Sequence, residues 1–202
     1  MGKRKLETAL KLLSQQHPDV KPAVRWLPFQ LNPDLPSEGI PRVDYIARKF
    51  GARGKGNYER VSKVGETVGI PFAFDKIEVQ PNTVNAHRLL HYAEQQGRQD
   101  AVAEVLFEAY FINGANLTDI DALADVAAKA GLERGAARAW LASDAEREVV
   151  VSADLEARNA GIGGVPFFIF NRAVGVSGAQ DPQTLLNAML QALQPAAQSR
   201  AG

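Results

Sequence analysis

The sequence has 202 residues, 46% of them hydrophobic, which suits one large domain, or a domain with an insertion, built on one sizeable core. Its 23 Lys plus Arg balance 23 Asp plus Glu, arguing against a general nucleic-acid or anionic-membrane surface, and no apolar run approaches the ~20 residues of a membrane span. Cysteine is absent, so structural disulfides, thiolate metal sites and cysteine nucleophiles are excluded from these residues; a soluble, cytoplasmic protein without a signal peptide is expected.

Residues 2–16 predict an amphipathic helix, with Leu6, Ala9, Leu10 and Leu13 on one face. It starts at Met1 without a cap, and Lys3, Arg4 and Lys5 crowd its first turn, where the helix dipole disfavours cations. Such a start resembles the inside of a helix whose first turn lies upstream. Residues 24–31 predict a strand with Trp26, Phe29 and Leu31 as its bulky members, and Pro28 moves it towards an edge position.

Residues 42–160 read as helical almost throughout. Short helices are expected over 43–50 and 58–68, separated by a mobile, glycine-rich basic loop over 51–57, with a brief extended piece at 71–74. Asn82 is placed as the cap of a helix running to Gln96, with Gly97 as its stop. Asp100 opens the next helix, and Thr118 with Asp121 resembles a capping box before a third. Two more helices are expected over 133–141 and 144–160. The Ala-, Gln- and Ser-rich tail after Gln194 is expected to be disordered.

The last segment carries the strongest pattern. Gly163-Gly164-Val165-Pro166 is a turn feeding the apolar run Phe167-Phe168-Ile169-Phe170, whose two apolar faces predict a strand covered on both sides. Asn171-Arg172 turns the chain into a second short strand over 174–176. Asp181-Pro182 then opens a final helix, Asp as cap and Pro at the first helical position. A proline directly before a buried strand is a candidate for a cis peptide bond.

Other candidate motifs have plainer explanations. His87 and His91 stand at i and i+4, a metal-ligand spacing, but Arg88 occupies the position where a zinc-protease helix needs Glu, and no cysteine is available. Gly51 to Gly56 lacks the spacing and the hydroxyl of a phosphate-binding loop. Ser177 sits in no nucleophile elbow. Asp119, Asp121 and Asp125 follow one another along a single predicted helix, where capping explains them.

Four segments in order carry a resemblance: Gly2-Lys3-Arg4, Leu27-Pro28-Phe29-Gln30-Leu31-Asn32-Pro33, Asn82-Thr83 followed by Ala86-His87-Arg88-Leu89, and Gly164-Val165-Pro166-Phe167-Phe168 with Val176-Ser177-Gly178-Ala179-Gln180. Together they resemble DsbA-like thioredoxin-fold oxidoreductases, and within them the FrnE type. The resemblance implies an α/β, thioredoxin-like core split by a large all-helical insertion. Its core would comprise residues 1–41 and 161–194, its insertion residues 42–160, and residues 24–31 would join the two C-terminal strands in one mixed sheet.

In that family a central strand and a Cys-Pro-Trp-Cys-type motif directly precede Gly-Lys-Arg. The helix N-terminus lowers the pKa of the first cysteine, whose thiolate attacks a disulfide, and the second cysteine resolves the mixed disulfide. The resemblance therefore implies a missing central strand and an upstream segment of about ten to twenty residues ending in Cys-x-x-Cys. It also implies that the chain as given is inactive in thiol exchange.

No catalytic residue carries over. Gly164, Val165, Pro166 and Phe167 carry over as a substrate-side cis-proline loop, with Asn82 and His87 as further substrate-facing positions. The expected partner is a thiol- or disulfide-bearing protein or small molecule, with a homodimer left open; no cofactor and no metal are expected. Two alternatives remain: a glutathione-dependent enzyme like the 2-hydroxychromene-2-carboxylate isomerases, and a non-catalytic module that binds a peptide or other ligand. Val176-Ser177-Gly178-Ala179-Gln180, in place of the aromatic-Gly-x-Asp-Arg segment of the isomerases, favours the oxidoreductase.

Overall fold

The computed structural model describes residues 1–51 and 54–194; the expected disordered tail, and Ala52 and Arg53 of the expected basic loop, lie outside the described residues. The chain divides into two compact units: Met1–Ala23 with residues 162–194, and Val24–Gly161.

The first unit is built from helix α1 (Gly2–Gln16), the hairpin β3 (Phe167–Phe170) and β4 (Val174–Ser177), and helix α9 (Pro182–Leu193). Leu6, Ala9 and Leu13 of α1 meet Leu185, Leu186 and Met189 of α9, and Phe168, Phe170 and Val176 pack against this cluster from the hairpin. The Phe168 and Phe170 rings are parallel, their centroids 6.3 Å apart. Asp181 caps α9 as expected, its carboxylate accepting from the Gln183 and Thr184 N–H groups, both at 3.0 Å. The turn between the strands puts Asn171 and Arg172 at positive φ, 49° and 56°, and the Ala173 N–H donates to Phe170 C=O.

β3 and β4 form a two-stranded antiparallel sheet, with Phe168 opposite Val176. The expected cover on both faces of β3 is not found. One face packs on the α1–α9 core; on the other, Ile169 is 49% exposed.

The second unit is helical. Strands β1 (Ile40–Pro41) and β2 (Val79–Gln80) pair antiparallel over two residues each, a ladder too short for a sequence pattern to reveal. Around them run α2 (Arg42–Phe50), α3 (Gly54–Glu66), α4 (Val84–Gln95), α5 (Gln99–Phe111), α6 (Ile120–Lys129), α7 (Arg134–Ala142) and α8 (Arg147–Asn159). α4 is central: Leu89 and Ala93 pack with Val102 and Leu106 of α5, Leu123 of α6 and Leu141 of α7.

Two local expectations are corrected here. α3 already begins at Gly54, inside the expected basic loop. The cap of α6 is Asp119, which accepts from the Asp121 N–H; Thr118 instead bonds Asn116 through both its N–H and its hydroxyl.

The larger correction concerns residues 24–31. They are extended but form no strand, and they belong to the helical unit instead of joining β3 and β4 in one sheet. Pro28 supplies no N–H to a ladder. At Trp26 and Gln30, helix side chains satisfy the main-chain groups instead. Gln99 of α5 accepts from the Trp26 N–H and donates to the Trp26 carbonyl, both at 2.9 Å. Asp154 of α8 accepts from the Gln30 N–H at 2.7 Å, while Arg158 donates to the Gln30 carbonyl and pairs with Asp154 at 3.1 Å. Arg158 also lies over the Phe29 ring, 4.5 Å from its centroid.

Candidate functional site

In the first unit, the turn before β3 meets the start of α1. The Val165–Pro166 peptide is cis. Pro166 lies against Gly2, the first residue of α1: a Cβ on Gly2 would come within 2.8 Å of Pro166 Cγ and 3.0 Å of its Cβ. Only glycine lets this helix end and this proline approach so closely. On the far side of the proline, its carbonyl accepts from the Gly178 N–H at 2.8 Å, and Lys5 Nζ donates to the Ala179 carbonyl at 2.7 Å. The loop is therefore held between the first turn of α1 and the turn that follows β4.

The Pro166–Gly178 bond also sets the phase of the hairpin. In an antiparallel ladder, alternate residues turn their N–H and C=O groups to the partner strand. Phe168 and Phe170 thus face β4, and Phe167 and Ile169 direct their main-chain groups to the opposite edge. Among the described residues no strand pairs there. Val165 and Ile169 are each 49% exposed. Phe167 lies over Gly175, the residue opposite Ile169.

Asn82 and His87 belong to the helical unit. Asn82 precedes the cap position of α4, which Thr83 occupies, yet it serves the helix start: its Oδ1 accepts from the Val84 N–H at 3.0 Å. Its Nδ2 donates to the Leu35 carbonyl at 2.7 Å, so both ends of the carboxamide are engaged within the unit.

His87 sits one turn further on, bordering a pocket of about 90 Å³ between α4, α8 and residues 25–28, with Arg25, Trp26, Leu90, His91 and Val150 also in its wall. Its Nδ1 is buried with no hydrogen-bond partner. Burial pushes its pKa down to about 4, opposed by the Phe29 backbone and the Asp154 carboxylate. His87 is therefore neutral at pH 7. His91, at i+4, turns instead to Glu146, 2.8 Å away. Among the described residues, no group of three or more His, Asp or Glu is placed to hold a metal ion.

The sequence reading missed Gly2 as part of the loop's wall. Its signal was present: glycine is a costly residue in a helix unless packing requires it.

Residues 2–190 match the DSBA-like thioredoxin domain. The chain belongs to that family. A crystal structure of a probable DsbA oxidoreductase from Streptomyces coelicolor resembles this DSBA-like chain with a TM-score of 0.83 at 28% identity, over 95% of this chain and 82% of that one. A candidate protein disulfide isomerase from Nitrosomonas europaea shares the fold, with a TM-score of 0.64 at 13% identity over 96% and 93% of the two chains. The uncharacterised Bacillus subtilis protein YwbO is 26% identical over 178 residues, 86% of this chain and 81% of the relative. The thioredoxin-like DSBA fold is thus established, and no helix among the described residues is long and apolar enough to cross a membrane.

Proposed function

We propose that this chain is the substrate-holding body of a DsbA-like, FrnE-type thiol–disulfide oxidoreductase, and that its loop Gly164-Val165-Pro166-Phe167 takes an extended polypeptide by strand addition. One observation supports this most: Val165 is half exposed directly before a cis-proline whose loop is held in place by Gly2 on one side and the Gly178 N–H on the other. An extended chain that pairs with the backbone before the proline is held by main-chain bonds, so its binding tolerates many sequences.

Thiol exchange needs a thiolate to attack a disulfide sulfur and a thiolate to leave. The 202 residues contain no cysteine, so on this reading a protein of this sequence binds its substrate without exchanging thiols. Asn82 and His87, substrate-facing by the same resemblance, lie in the helical unit.

The test is a titration of the isotope-labelled protein with a permanently unfolded polypeptide, reduced and S-carboxymethylated α-lactalbumin. Saturable binding with amide shifts at Gly164, Val165 and Phe167 is expected, alongside insulin reduction no faster than the uncatalysed rate. Absence of binding, or shifts confined to other residues, overturns the substrate-holding role. Catalysed reduction overturns the inactivity.

A further inference from the structure

Arg42, the first residue of α2, is 7% exposed, yet among the described residues no carboxylate pairs with it. Asp44, in the same turn, and Glu78, whose carbonyl accepts from the Arg42 N–H at 2.8 Å, are both exposed residues. A guanidinium keeps its charge on burial, and a buried charge without a counter-charge is costly. The five N–H groups of this guanidinium are unevenly engaged. Nη1 donates to the Gln80 carboxamide oxygen on β2 and, at 3.3 Å, to the Tyr110 hydroxyl on α5. Nε is buried with no partner, and among the described residues nothing accepts from Nη2. Nε and Nη2 together form the side edge of the fork, which takes a carboxylate or a phosphate through two parallel bonds.

The surroundings of the fork are cationic and aromatic. The Tyr58 ring of α3 covers one face, its centroid 4.8 Å from Arg42 Cζ, and the Tyr45 ring lies at 5.9 Å. Tyr45 carries the second cation, accepting from Lys49 Nζ at 2.6 Å. Burial pushes the Tyr110 phenol up to about 12 and raises that of Tyr58, with Arg42 opposing both shifts, so both phenols are neutral at pH 7 and supply no counter-charge. Pro41 leaves the start of α2 without a capping side chain, which adds the positive end of the helix dipole.

We propose that Arg42 anchors a binding site for a small oxyanion, a carboxylate or a phosphate, held on its Nε–Nη2 edge with Lys49 as a second positive charge. The site lies within the helical unit and does not depend on the substrate-holding role of the loop. The bound anion supplies the counter-charge that the described residues do not. Two parallel bonds to one edge select for an oxyanion over a halide, which offers a single point of contact. An anion that binds only the folded chain also stabilises it.

The experiment titrates the isotope-labelled full chain with sodium acetate and, separately, with sodium phosphate, ionic strength being held constant with sodium chloride. The Arg42 Nε–H resonance and the melting temperature are followed. A saturable shift of that resonance and a rise in melting temperature are expected with at least one of the two anions, and the tighter binder names the source. Arg42→Lys keeps the charge but has no side edge, so affinity should fall by about tenfold or more. Lys49→Gln, at an exposed position, should fold as the parent does and weaken binding to a smaller extent, more at low salt than at high. No saturable shift with either anion, or the same response to chloride alone, overturns the site. Parent-like affinity in Arg42→Lys overturns it as well, and in Lys49→Gln it removes that residue from the site. The Arg42 resonance of the parent protein carries the test even if Arg42→Lys fails to fold.

Discussion

The Gln99 carboxamide takes the place of a neighbouring strand at Trp26, accepting from its N–H and donating to its carbonyl, both at 2.9 Å. Gln99 is buried on α5, so neither bond is readily replaced by water. Gln99→Glu keeps the shape and the acceptor but loses the donor, and sets a carboxylate against the Trp26 carbonyl. The expected loss is about 1–3 kcal/mol at pH 7, read from urea unfolding. An unchanged midpoint would mean that this pair does not hold the segment.

Arg88 is 1% exposed and works as a clamp at the end of α7. Its guanidinium donates to the carbonyls of Leu141 at 3.1 Å, Ser143 at 2.7 Å and Ala145 at 2.8 Å, and lies over the Trp140 ring. Arg88→Met fills much of the volume but leaves those carbonyls without a donor. A destabilisation of roughly 3 kcal/mol or more is expected. Arg88→Lys should recover little of it, because an ammonium cannot reproduce the fork. Denaturation midpoints of the two variants check both statements.

His87 makes stability depend on pH. Its pKa of about 4 in the folded protein lies below the value of roughly 6.5 for an exposed histidine. Between these values the unfolded chain holds the extra proton, so the contribution is full above about pH 6.5 and is lost as the pH falls towards 4. The loss is on the order of 3 kcal/mol. His87→Gln should flatten the stability profile between pH 7 and pH 4; a variant with the parent slope would refute the assignment.

Gly2 sets how close α1 comes to Pro166. At an ordinary helix position Gly→Ala gains up to about 1 kcal/mol. Here the gain should be cancelled or reversed, because the new methyl meets Pro166 at 2.8 Å. Gly2→Val should also shift the amide resonances of Val165 and Phe167. Normal stabilisation by alanine, with no change in those resonances, would show that the contact does not constrain the loop.

What could be read in advance follows how local each cause is. The α9 start was legible because Asp181 and Pro182 act on their own turn. α1 was legible from the spacing of Leu6, Ala9 and Leu13, and β3–β4 from an apolar run and a turn. Residues 24–31 were read as a strand because bulky apolar residues mark one; that Gln99 and Asp154, far along the chain, satisfy the backbone is not written in the segment itself. The site was legible in part for the same reason. Val165 and Pro166 announce a turn, whereas the contact of Gly2 with Pro166 joins residues 164 positions apart. Asn82 was recognised as serving the start of α4, but its second bond, to Leu35, depends on a loop that its neighbours do not describe.

The way residues 24–31 are fastened has a kinetic consequence. A strand inside a sheet is released only when a run of ladder bonds breaks together. Here the main-chain fastening is made by side chains at separate points, Gln99 of α5 at Trp26, His87 of α4 at Phe29, and Asp154 and Arg158 of α8 at Gln30. Opening one such point leaves the others and the helices in place, so this segment should form a low-free-energy opening unit of its own. Its amides should exchange with solvent well before those of α4 and α5, and a protease should nick it beside the exposed Leu27 or Leu31 while the helical core is still intact.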